Sequence, residues 1–242
     1  MRRVKAIVAA AFSVALLASA MAGPAMARAD SGNLKIQVVP FEFDPTHSGI
    51  VASGWQKHLG LPDSKSNANF GLLLSKNGKT PTNASAGARV LGVSGITLTD
   101  LGYDIRMGGH CGAGAPRFNV VTTDGVTHFV GCSSPPGTVE PAPPTADGLT
   151  PNTGWTRLHW TAAQLATAFP PITASMKVRS ISIVFDEGVD TGPDFSGMAV
   201  LDNIRVNEAF AVNEAFAGKP GTSDESDNKS EKKSDKKSGK DD

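Results

Sequence analysis

An all-β fold, an antiparallel β-sandwich with one short helix, is what the central part of this 242-residue sequence predicts. Three observations carry that expectation. Short runs with β-branched and aromatic residues recur between Gly, Pro, Asn and Asp punctuation. Several of them alternate apolar and polar residues with the two-residue period of a half-buried strand. A helical period appears at one place only.

In chain order, residues 34–39, 50–55, 70–75, 88–93 and 102–107 read as strands. Residues 117–123 and 126–131 flank Asp124-Gly125, a pair that tolerates positive φ and suits a two-residue hairpin turn, and in that register His128 opposes Val121. Residues 155–160, 178–186 and 200–206 complete a set of about ten, and many short strands with turn punctuation mean a sandwich or barrel. The helix is expected from Thr161 to Phe169. Thr161 and Gln164 have capping-box spacing, Ala162, Leu165, Ala166 and Phe169 fall on one face, and Pro170-Pro171 ends the run. Residues 133–153 hold six prolines in twenty-one positions. Too few elements follow them to close a second core, so they read as a long surface crossover within one fold.

The ends have a different character. Residues 1–29 combine Arg2, Arg3 and Lys5 with an uncharged run from Ala6 to Ala20 and small residues at Ala25, Ala27 and Ala29, the pattern of a cleaved secretory signal peptide rather than a retained span. Export into an extracellular or periplasmic space, with no membrane insertion, is the expectation. Residues 218–242 hold seven lysines and seven acidic residues with no large apolar side chain, so this charged tail is expected to stay disordered. Ahead of it, Val206-Asn-Glu-Ala-Phe-Ala is repeated at once from Val212, a local duplication too short to build an architecture. The domain left between the ends, residues 30–217, has 12 basic and 16 acidic side chains, a net of −4, which argues against nucleic acid as a partner. It is expected to be a monomer.

Cys111 and Cys132 are the only cysteines. In an exported chain they read as a disulfide that pins the glycine-rich loop 108–114, contributing about 3 kcal/mol by constraining the unfolded chain. On the last strand, two-residue alternation puts Asp202 in phase with Val200, Ile204 and Val206 and directs it toward the core. A buried carboxylate needs a cation or several donors, so Asp202 calls for an arginine, hydrogen-bond donors or a metal. With Glu42 of Phe41-Glu-Phe43, it forms a candidate set of hard oxygen ligands suited to a structural calcium. Residues 155–160 place Trp155, Arg157 and His159 on one face, opposite Leu158 and Trp160. An aromatic plate flanked by hydrogen-bond donors is what a sugar ring requires. Tyr103, Ile105 and Met107 oppose Asp104 and Arg106 in the same way.

The pairing of Val39-Pro-Phe-Glu-Phe43 and Ser53-Gly-Trp55 with Val200-Leu-Asp-Asn-Ile-Arg-Val206 resembles the jelly-roll, galactose-binding-like sandwiches that include many carbohydrate-binding modules. That resemblance implies a jelly roll whose first and last strands hold a structural calcium. The stretch from Gly108 to Cys132, with residues 186–204, resembles uncharacterised bacterial secreted proteins and implies no activity. Enzyme signatures are missing: Gly92-Val-Ser-Gly-Ile96 falls one glycine short of a nucleophile elbow, and the five histidines have no metal-ligand spacing. The reading is a secreted, non-catalytic binding module for extracellular or envelope glycan. Its rivals are a structural envelope protein and a polysaccharide hydrolase or lyase, which would need a cleft where two carboxylates, or a histidine and a hydroxyl, converge at hydrogen-bonding distance.

Overall fold

The computed structural model describes residues 34–62, 69–78, 83–144, 151–186, 197–207 and 209–211. The expected leader, the charged tail, the second copy of the duplicated hexapeptide and residues 187–196 lie outside them.

Twelve strands are formed among the described residues: β1 Gln37–Phe43, β2 Val51–Gln56, β3 Gly71–Lys76, β4 Ser85–Leu91, β5 Asp100–Arg106, β6 Arg117–Thr122, β7 Thr127–Gly131, β8 Thr138–Pro141, β9 Trp155–Thr161, β10 Val178–Phe185, β11 Met198–Val206 and β12 Ala209–Phe210. They make two antiparallel sheets. One has the order β1-β4-β10-β6-β7, and the other runs β2-β3-β11-β5-β9-β8 with β12 paired to β11. The chain crosses between the sheets repeatedly, the winding of a jelly roll. After the proline-rich stretch, β9 pairs with β5 in one sheet and β10 lies between β4 and β6 in the other.

Alternation explains what each strand buries. Leu101, Tyr103 and Ile105 of β5, Leu158 and Trp160 of β9, and Phe118 and Val120 of β6 all point between the sheets and are buried. At roughly 1.5–3 kcal/mol for each large side chain taken out of water, this layer drives folding. Tyr103, Phe118 and Trp160 form its centre, with ring centroids 5.5 to 6.0 Å apart. Their polar atoms are satisfied on the spot: Tyr103 O–H donates to the Pro116 carbonyl at 3.1 Å, and Trp160 Nε1–H to the Pro135 carbonyl at 2.9 Å. Burial pushes the Tyr103 phenol up, so it stays a donor.

Four expectations need correction. The proline-rich crossover contains β8, a fully exposed four-residue edge strand that pairs with β9 and ends on a proline, as edge strands tolerate. The helix is a single turn, Ala162–Leu165, entered through the Thr161 N–H bond to Gln164 Oε1 at 2.9 Å. Beyond it the chain tightens, Ala168 is buried with Leu165, and Phe169 is 79% exposed. The β6–β7 hairpin turns over Thr123-Asp124-Gly125, with Gly125 at φ +86°, closed by the Thr122 N–H bond to the Val126 carbonyl. Three-residue hairpins use glycine in that left-handed position. The register therefore pairs His128 with Val120, inside the sandwich, where its ring nitrogens meet Thr122 Oγ1 at 3.0 Å and the Pro170 carbonyl at 2.8 Å.

The fourth correction concerns β11. Ala199 and Leu201 belong to the core, and so do Ile204 and Val206, which are out of phase with them. The pairing with β5 slips between Asp202 and Arg205, and Asn203 sits at φ +46°. This β-bulge adds one residue and reverses the facing of everything after it. Asp202 is buried as expected, but it lies on the outward side of the sheet, beside Asp104. The first copy of the duplicated hexapeptide also has a structural place. Asn207 Oδ1 accepts from Thr99 N–H at 2.8 Å and its Nδ2 donates to the Thr97 carbonyl at 2.6 Å, while Ala209–Phe210 turns back along β11.

Candidate functional site

Trp155, Arg157 and His159 pair with Arg106, Asp104 and Gly102 of β5, positions that alternate with the core residues Ile105, Tyr103 and Leu101. All three side chains therefore face outward from the six-strand path of the larger sheet. They differ in what they touch. Arg157 donates through Nε to Asp104 Oδ1 at 2.7 Å and through Nη2 to Asp104 Oδ2 at 2.9 Å. Asn203, turned by the bulge, adds its Nδ2 to Asp104 Oδ2 at 2.6 Å. Asp104 is 0% exposed, so this is a buried bidentate pair whose desolvation is offset by three charge-assisted hydrogen bonds. His159 Nδ1 lies 3.4 Å from Asp100 Oδ2, and Arg205 Nε lies 3.0 Å from Asp100 Oδ1. Gly102 makes room for this cluster, since a Cβ there would lie 2.8 Å from Arg205 Nε and 2.9 Å from the Leu158 carbonyl.

Asp202 anchors a loop. Its Oδ2 accepts from Leu61 N–H at 2.8 Å and its Oδ1 from Asn203 N–H at 2.7 Å. The approach depends on Gly60, where a Cβ would stand 2.2 Å from the Phe70 carbonyl and 2.7 Å from Asp202 Oδ2. Glu42 lies elsewhere. It is opposite Ala86 at the margin of the other sheet, on the inward side, and accepts from Ser53 N–H at 2.9 Å, tying β1 to β2. The structure does not bring Glu42 and Asp202 together, and backbone N–H donors occupy both carboxylates. Calcium takes six to eight oxygens, and among the described residues no group of three or more His, Cys, Asp or Glu side chains is placed to hold a metal ion.

Trp155 leads to a feature that the sequence alone did not suggest. Half-buried, it lines a surface cavity of about 430 Å³ together with Val139, Glu140, Asn152 and Met107. A second cavity of about 440 Å³ adjoins it through Met107, Val139 and Thr156 and is lined by Ile105, Leu158, Pro136 and the Cys111–Cys132 disulfide. Together they form a groove beside the β8 edge, with Met107 64% and Val139 67% exposed in it. Its lining is apolar, and Glu140 and Asn152 supply polar groups beside Trp155. Sequence reasoning missed Val139 because prolines surround it. Met107, expected in phase with the core, lies just past the end of β5.

No protein-family model matches the sequence, and no curated protein does. Among solved structures, the fold is similar to a family 11 carbohydrate-binding module from Clostridium thermocellum in complex with a β-1,3-1,4-mixed-linked tetrasaccharide. The TM-score is 0.36 and the identity 14%, over 76% of this chain and 94% of that chain. It is also similar to the family 11 carbohydrate-binding module of the cellulosomal cellulase Lic26A-Cel5E of Clostridium thermocellum, with TM-score 0.35 and 13% identity over 79% and 96%. No residue of the groove is carried across from either. The disulfide fits an oxidising compartment, and no helix among the described residues is long and apolar enough to cross a membrane.

Proposed function

We propose that this protein is a secreted, non-catalytic module that binds extracellular or cell-envelope glycan in the groove at Trp155. The observation that carries the reading is the half-buried indole in the wall of an open cavity of about 430 Å³, with Glu140 and Asn152 beside it. An aromatic face takes the apolar side of a sugar ring, and a few adjacent polar groups take its hydroxyls. The disulfide supports the same site by holding the wall formed by loop 108–114. Arg157 and His159 serve this reading as the frame that fixes β9, since both are committed to internal carboxylates.

The test is binding to a panel of neutral polysaccharides, followed by affinity electrophoresis. Trp155→Ala is expected to lose at least tenfold in affinity for whichever polymer the native protein retains. Full retention by the variant removes the site. The internal pairing of Arg157 and His159 also favours a second reading, an envelope protein whose sandwich is structural. A native protein that ignores every glycan would select it. The cross-strand acids Asp104 and Asp202 do not supply a hydrolytic pair to this reading, since they are buried and held by Arg157, Asn203 and Leu61.

A further inference from the structure

The outer side of the five-stranded sheet carries a different arrangement. Strand register sets its side chains in cross-strand rows. One row is Phe41, Gly87, Val184, Arg117 and Gly131. The next is Val39, Arg89, Ser182, Asn119 and Phe129. Phe169 extends this row past β7 by exchanging backbone bonds with Phe129, N–H to carbonyl, at 2.8 and 3.4 Å. Aromatic rings thus stand at both margins, about 19 Å apart at the ~4.8 Å spacing of neighbouring strands. Polar side chains occupy much of the space between. Phe169 is 79% and Phe129 38% exposed, two large apolar side chains left in water on segments whose backbones are bonded to each other.

The two arginines of these rows differ, and a third, Arg179, is exposed at the bulge of β10. Arg117 stacks 5.6 Å from the Phe129 ring centroid, but its charge is matched by a bidentate pair with Asp186 at 2.6 and 2.7 Å. Arg89 lies 5.3 Å from the Phe41 centroid, is exposed, and makes no ion pair among the described residues. Gly87 lets the Phe41 ring lie flat across the sheet, since a Cβ there would come within 2.4 Å of it. Within these two rows Arg89 is the guanidinium with no ion pair among the described residues, and it stands between aromatic margins.

We infer that this face binds a carboxylate-bearing polysaccharide. Arg89 receives a uronate carboxylate, and Phe129 with Phe169 stacks against a sugar ring. A guanidinium fork matches a carboxylate bidentately, and an aromatic face offers apolar contact without hydrogen-bonding demand. The site lies on the other sheet from Trp155 and does not depend on the groove reading.

The test uses polygalacturonate and its fully methyl-esterified counterpart as probes, with the purified full chain. The native protein is expected to bind the acidic polymer at least tenfold more tightly than the ester. Arg89→Gln is expected to abolish that preference and Phe169→Ala to weaken binding at least fivefold. Both residues are exposed, so both variants keep the native melting temperature. Trp155→Ala is expected to leave binding of the acidic polymer unchanged, whatever its effect on neutral glycans. Equal affinity for the two polymers, or full binding by Arg89→Gln, overturns the inference. So does a concentration-dependent dimer lost in Phe169→Ala, which would give the face to a second copy of the chain.

Discussion

The two outward faces of this sandwich use their charges in opposite ways. On the larger sheet Arg157 and Asn203 meet Asp104, and His159 and Arg205 meet Asp100, all of them half-buried or buried, while Asp202 takes backbone donors. On the smaller sheet Arg89 stands in water over Phe41, and Phe129 and Phe169 are left uncovered. A strand rich in donors and acceptors therefore need not be a recognition surface. When its neighbours carry complementary groups in register, those groups are consumed by the fold, and the surface with fewer charges keeps more to offer a ligand.

The sharpest way to break this contrast is Asp104→Ala. It strands the Arg157 guanidinium in a site where the carboxylate had been 0% exposed, and breaking a buried pair from one side costs about 3–5 kcal/mol. Urea unfolding should show a loss of that order, while the paired replacement Asp104→Leu with Arg157→Met should recover most of it. A loss under about 1 kcal/mol for the single variant would mean that water reaches Arg157 and that the face is open after all.

Next in size is the disulfide. Replacing Cys111 and Cys132 by Ser releases a link across 21 positions, and about 3 kcal/mol should go with it. The comparison gains from a second readout. The disulfide lines the groove on the larger sheet, so neutral-glycan binding there should weaken, while the Phe129 and Phe169 pair, held by backbone bonds to each other, should keep its behaviour.

How far the sequence foretold this comparison depends on the range of the interaction. Local signals read well. Turn residues placed nearly every strand, the two cysteines declared their bond, and alternation put Trp155, Arg157 and His159 on one side. What a side chain meets on the next strand did not read, because Asp104 and Arg157 lie in strands paired by topology rather than by sequence. Asp202 shows the limit most clearly. Its facing was inferred by counting twos from Val206, and the bulge at Asn203 broke the count. Asn is among the few residues that accept positive φ readily, so the Asp202-Asn203 step could have raised the suspicion. Phe169 failed for a related reason: the helical period continued on paper after the chain had left the helix. Val139 was hidden by prolines that suited an edge strand as well as a loop.

The smallest expected effect bears on whether the larger sheet completes its own charge pairing without an ion. Asp202 receives Leu61 N–H and Asn203 N–H, and Glu42 receives Ser53 N–H in the other sheet. If protein groups alone satisfy these carboxylates, treatment with EDTA should move the melting temperature by less than about 1 °C, since a ligand that is not bound adds nothing to stability. A bound calcium at one hundred times its dissociation constant would contribute about 2.7 kcal/mol, or roughly 5–10 °C for a domain of this size. A fall of that size on chelation, reversed by added calcium and absent in Asp202→Asn, would place an ion at Asp202. The contrast between the faces would then lie between one surface completed by metal and one awaiting a ligand.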